Sequence, residues 1–153
     1  MPQTLAVRTR VITAKELVSS ARAIFIRIKD KRGGGYKLEF SPKRVTIYYK
    51  VPGEAHDPGK KSQVAWVASG LEEGQRVYIT AKSTSRFGYM RHECYGPIVA
   101  GKRVVYSGSP LRGPEGRSKK VVWRYNVILT TAAGKRLASY DPDVNIDKDP
   151  RPA

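Results

Sequence analysis

Three short segments place cations and aromatic rings on the same side of an alternating chain. In residues 44-51, Val45, Ile47, Tyr49 and Val51 fall on one side and Arg44, Thr46, Tyr48 and Lys50 on the other. Residues 76-82 repeat the division, with Val77, Ile79 and Ala81 opposite Arg76, Tyr78, Thr80 and Lys82. In 24-29, Phe25, Arg27 and Lys29 share a side opposite three isoleucines. A period of two is the signature of a half-buried β-strand, so each polar side is an exposed sheet face. Flat rings beside Lys and Arg suit unpaired nucleic acid: bases stack on rings at roughly 1–3 kcal/mol each, while cations neutralise phosphates. A merely solvated strand face also favours Tyr, Thr and Arg.

Charge decides between these readings. The 153 residues carry 29 Lys and Arg against 13 Asp and Glu, a formal charge of +16, and residues 74-140 hold only Glu93 and Glu115 as acids. Such self-repulsion costs stability and implies a polyanionic partner that offsets it. Two basic loops extend the candidate surface. Ser107–Lys120 carries Arg112, Arg117, Lys119 and Lys120 on a Gly- and Pro-rich stretch, and Lys29–Lys37 turns through Gly33-Gly34-Gly35. Both would follow a phosphate backbone without reading sequence.

The inventory for catalysis is thin. His56, His92 and Cys94 are the whole imidazole and thiolate supply, too few for a zinc site of three or four convergent ligands. Two-metal nuclease chemistry needs clustered carboxylates, and those before residue 141 are scattered. No phosphate-cradling or dinucleotide-binding glycine motif and no nucleophile elbow occur. A non-enzymatic protein without cofactor or metal is expected. Trp66 and Trp123 sit in strongly apolar segments and read as core, as does Cys94.

The elements that would position these residues are short. Gly and Pro recur so evenly that only residues 3-32 form a long stretch without them, and there Thr13-x-x-Glu16 has capping-box spacing for a short helix over 14-21. Strands are expected at 24-29 and 36-40 as a hairpin, and at 44-51, 62-69, 75-83, 87-95, 98-106 and 120-131. The fold class is mainly β, a small barrel (OB-like) or a sandwich of about 8-10 short antiparallel strands with one short N-terminal helix. Four segments enter a strand alike, through Arg44, Arg76, Arg103 and Arg136, each followed by an aliphatic residue. Arginines should therefore recur at strand starts.

Residues 1-140 read as one β domain. From Asp141 the chain turns acidic and proline-rich, which reads as a flexible tail over 141-153, able to recruit a protein partner. No apolar run approaches the roughly 20 residues of a membrane helix, and the N-terminus lacks a signal-peptide core. A protein with no membrane partner is expected, cytoplasmic or associated with a nucleoid or virion, and not secreted.

The stretch Val64–Ser69 followed by Leu71-Glu-Glu-Gly-Gln-Arg-Val-Tyr-Ile-Thr-Ala-Lys82 resembles the OB-fold single-stranded DNA-binding proteins, in which a strand ending in small residues precedes Leu-x-x-Gly-x-x-Val-Tyr. The resemblance implies a β-barrel binding single strands. It departs in having no residues for a helix between Gly70 and Gln75, and in its tail, which ends Pro-Arg-Pro-Ala. Residues and resemblance together imply non-specific binding of single-stranded DNA or RNA through Phe25, Arg27, Lys29, Arg44, Tyr48, Lys50, Arg76, Tyr78 and Lys82 and the loop cations. The rivals are a structural component of a nucleoprotein or virion assembly, which would form a homo-oligomer, and a regulator docking on another protein.

Overall fold

Alternation turns into strands wherever a glycine or proline lets the chain reverse. The computed structural model describes residues 12-51, 53, 59-82 and 88-148. The strands are β1 (Ala21–Asp30), β2 (Tyr36–Ser41), β3 (Arg44–Tyr49), β4 (Gln63–Ser69), β5 (Arg76–Ala81), β6 (Cys94–Ile98), β7 (Val104–Tyr106), β8 (Lys120–Thr130), β9 (Arg136–Tyr140) and β10 (Asp143–Lys148). The first two form the expected hairpin. At its tip Lys31 N–H donates to Gly35 O and Gly34 N–H to Lys31 O, both at 2.9 Å. All three glycines there have φ between 87° and 104°, which side chains with a Cβ rarely tolerate.

Two sheets result. One has the order β2-β1-β4-β7; the other runs β3-β10-β8-β5-β6, with β9 added alongside β8. Their inner faces meet in one core that includes Ile24, Ile26, Ile47, Trp66, Ile79, Trp123, Leu129 and Ile146. The protein is thus mainly β, as composition implies, with both tryptophans in the core. Arginine does stand at or just before the starts of β3, β5, β7 and β9.

Four expectations need correction. The pairing is not wholly antiparallel: β1 runs parallel to β4, and β3 parallel to β10. β4 gives a local reason, since it lies between β1 and β7 and buries every residue from Val64 to Ala68, as strands in parallel pairings commonly do. The N-terminal helix is a single 3-10 turn, Ala14–Glu16, and Thr13 makes no side-chain cap. Beyond it the backbone is committed elsewhere: Ser20 O accepts the N–H groups of Ser62 and Gln63 at 2.9 and 3.2 Å, tying the entry of β1 to that of β4. The strands expected at 87-95 and 98-106 appear later and shorter, as β6 and β7, and Cys94 is exposed because Tyr95 takes the inward place beside it.

The largest correction concerns the acidic end. Asp143–Lys148 is not a tail but β10, hydrogen-bonded between β3 and β8 with Val144 and Ile146 fully buried. Its acids alternate with those two aliphatics, and Arg44 Nη2 donates to Asp143 Oδ2 at 2.9 Å; just before the strand, Lys82 Nζ donates to Asp141 Oδ2 at 3.1 Å. Residues 149-153 lie outside the described residues. Gly70 has φ +84° and a Cβ there would collide with Ile28 O, so the turn from β4 toward β5 passes close under β1.

An aromatic cluster ties the sheets together. Trp66 of β4 donates its indole N–H to Tyr125 Oη at 3.1 Å, Trp123 stacks on Tyr125 at 5.0 Å, and Tyr95 donates to Ser107 O at 2.8 Å. Burial raises the pKa of both the Tyr125 and Tyr95 hydroxyls above the usual value, opposed in part by Trp66 and by the His92 backbone N–H.

Two outcomes follow from this packing. Ile146→Ala should lower unfolding free energy by about 2–5 kcal/mol, the cost of a buried cavity, in a urea titration; a flexible tail would show no change. Tyrosines freed by unfolding ionise near pH 10, whereas Tyr95 and Tyr125 keep their protons longer in the folded state. Stability should therefore be full below about pH 10 and fall as pH rises beyond it. Tyr125→Phe should flatten that fall while lowering the neutral-pH baseline by about 1–3 kcal/mol, because the Trp66 N–H loses its acceptor.

Candidate nucleic-acid interface

The residues singled out by alternation do point outward, but from two different sheets. Phe25, Arg27 and Lys29 lie on the outer face of the four-stranded sheet, opposite Ser41, Glu39 and Lys37 of β2. Arg44 and Tyr48, and Arg76 and Tyr78, lie on the outer face of the six-stranded sheet, with the core between the two sets. No single surface brings the three strands together. Lys29 is also near an acid, 3.8 Å from Glu39.

Within the six-stranded sheet the face divides again, into an acidic and a basic lane. Register places Asp143, Asn145 and Asp147 of β10 beside Arg44, Thr46 and Tyr48 of β3. Asp143 holds Arg44 in a two-pronged ion pair and raises its pKa, chiefly through that hydrogen bond. The Tyr48 ring already carries Lys60 Nζ 4.9 Å above its centroid. Oδ1 of Asn145 and of Asp147 are both buried and have no hydrogen-bond partner among the described residues, and the carboxylates of Asp143 and Asp147 offset the cations around them.

The neighbouring lane, formed by β5, β8 and β9, is different. Tyr78 stands opposite Ile128 and Thr80 opposite Asn126, while Arg76 stands opposite Thr130, which faces Arg136 on its other side. At the far end Lys82 N–H donates to Arg124 O at 3.0 Å, so the side chains of Lys82 and Arg124 close the lane. Lys82 is paired there with Asp141. The floor is thus a half-exposed ring and an aliphatic side chain, bounded by Arg76 and Arg136 at one end and Arg124 and Lys82 at the other. Six residues of strand separate the ends, about 20 Å.

Arg124, Ile128 and Arg136 were not among the expected site residues. The alternation of 120-131 carried the signal for Arg124 and Ile128, and the turn-then-arginine pattern at Gly134–Leu137 carried it for Arg136.

The loop after β7 is pinned rather than loose. Leu111 N–H donates to Tyr89 O at 2.8 Å, the Arg112 guanidinium stacks on the Tyr89 ring at 4.8 Å, and Arg112 pairs with Glu115. Gly113 lies under Tyr49, where an added Cβ would come within 2.5 to 2.6 Å of that side chain. Arg112 is therefore engaged in closing one end of the sandwich. Arg117, Lys119 and Lys120 remain exposed beyond it, with Lys120 opposite Asp147 at the start of β8. Lys50 is exposed just past β3.

His92 rests edge-on against Tyr95 at 5.3 Å, and Cys94 lies opposite Thr80. His56 lies outside the described residues. Among the described residues no three His, Cys, Asp or Glu side chains group to hold a metal ion, and no helix is long and apolar enough to cross a membrane.

The chain matches no protein-family model, and no curated protein matches it significantly. Its likeness to OB-fold single-strand binders over residues 64-82 therefore rests on those residues alone, which here form β4, the Gly70–Gln75 turn and β5.

Proposed function

We propose that this protein binds single-stranded nucleic acid without catalysis, along the lane formed by β5, β8 and β9. The observation that carries the reading is the stretch in which Tyr78 and Ile128 lie between the Arg76–Arg136 and Lys82–Arg124 ends. A ring and an aliphatic side chain give unpaired bases an apolar floor, and cations at both ends hold the backbone. Duplex DNA keeps its bases stacked inside and would meet only the cations. The main-chain geometry offers no pattern for reading base identity, so binding is non-specific and falls with salt.

Tyr78→Ala should weaken binding of a fluorescent single-stranded dodecamer by roughly 5- to 100-fold, the loss of one stacked base. Arg76→Glu with Arg136→Glu should also weaken it and make the slope of log affinity against log salt shallower by at least about 2, one per phosphate contact removed. Arg27→Glu, on the other sheet, should leave it nearly unchanged. Equal loss from Arg27→Glu and Arg76→Glu would mean that net charge alone governs binding, and failure of the wild type to bind at moderate salt would sink the reading.

A further inference from the structure

The two sheets meet along a seam where β2 approaches β9, and a cleft of about 360 Å³ opens there, lined by Lys37, Leu38, Glu39, Phe40, Lys43 and Tyr140. That volume lies at the small end of ligand pockets. We infer that this cleft is a nucleotide subsite, seating one base on Tyr140 and the attached phosphate between Lys37 and Lys43. The inference rests on the single-strand reading above and extends it to a discrete position.

Three observations carry it. First, the floor is aromatic and supported from beneath: Tyr140 stacks on buried Phe40 with ring centroids 4.8 Å apart and an interplanar angle of 26°, yet is itself 38% exposed. A ring held flat by another ring and open on one side is a stacking platform of the kind bases use. Second, the rim is cationic. Lys37 and Lys43 are exposed, and the one acid, Glu39, sits between Lys29 at 3.8 Å and Lys37 at 3.7 Å, so its charge is already opposed. Third, among the described residues β2 is the end strand of its sheet, paired with β1 alone. An end strand turns alternate backbone N–H and C=O groups away from its sheet, available to the edge of any base.

The cleft also joins the lane in sequence and space. Tyr140 directly precedes Asp141, the partner of Lys82, and Lys43 directly precedes Arg44, the partner of Asp143. A strand leaving the lane between Ile128 and Lys82 would pass the end of β9, where Tyr140 stands opposite Val127, to reach the seam. The lysines favour a nucleotide over a second protein strand on the β2 edge, since lysines on an edge discourage strand addition.

The test titrates adenosine 5′-monophosphate into the full-length protein by NMR, with adenosine and inorganic phosphate as separate arms and a single-stranded dodecamer for comparison. The monophosphate should shift the resonances of residues 37-43 and 140 and bind more tightly than either fragment. Tyr140→Ala should weaken it roughly 5- to 100-fold. Lys43→Glu, at an exposed position between β2 and β3, should weaken it while leaving the spectrum of the free protein folded. Inorganic phosphate binding as tightly as the monophosphate would overturn the stacking role of Tyr140. A dodecamer that binds while the monophosphate leaves these resonances unmoved would overturn the subsite and spare the lane. Failure of both ligands would overturn the subsite together with the single-strand reading.

Discussion

The hydrogen bond from the Trp66 indole to the Tyr125 hydroxyl sets which face of β8 looks outward. β8 is the longest strand and pairs with β5, β9 and β10, so its register passes to most of the six-stranded sheet. With Tyr125 held inward against Trp66, Trp123, Val127 and Leu129 must also point inward, and Arg124, Asn126 and Ile128 outward. A slip of one residue would exchange the two sets, burying Arg124 and exposing Trp123. The aromatic cluster thus holds the sheets together and also presents the proposed lane.

The same strand explains why the acids at the C-terminal end belong to the fold. β10 fills the gap between β8 and β3, and without it the inner faces around Ile47 and Trp123 would lack a neighbour on one side. Its outward residues are mostly acidic, and in a protein of charge +16 they lower the repulsion of the cations they face. Asp143 engages Arg44, and Asp141 just before the strand engages Lys82; both cations are among the expected phosphate contacts. Pairing does not forbid phosphate binding, because exposed ion pairs contribute at most about 1 kcal/mol and can exchange partners. It does lower the worth of each as an anchor, which shifts the weight of the proposed site to Arg76 and Arg136.

Much of the fold was legible because alternation is a local property. The β1–β2 hairpin, the cores of β3, β4, β5 and β8, and the placement of Trp66 and Trp123 all follow from a period of two. What was not legible depends on pairings between distant segments. Whether Phe25 shares a surface with Tyr78 is decided by strand order, and nothing in either segment encodes it. β10 was missed for another reason: its only strand signal is Val144 and Ile146 two apart, outweighed by Asp and Pro composition until Arg44 and Lys82 are placed beside it. Thr13 misled in the opposite sense, since capping-box spacing promotes a helix only where the following residues are free of other partners, and Ser20 is bound to the start of β4.

An acidic lane beside a basic one also bears on how a polyanion would lie on the proposed surface. On a uniformly cationic sheet a strand could cross at any angle, and its bases would meet Tyr78 only by chance. Asp143 and Asp147 on β10 offset part of the positive charge toward β3, so on the proposed reading the backbone gains most by following β5 and β8 lengthwise. That orientation keeps bases over Tyr78 and Ile128 and delivers the strand toward Lys82, whose partner Asp141 directly follows Tyr140 at the end of β9. A sheet with fewer acids would attract nucleic acid more strongly from a distance and align it less. On the proposed reading, the acids of β10 contribute direction where the excess of lysine and arginine contributes attraction.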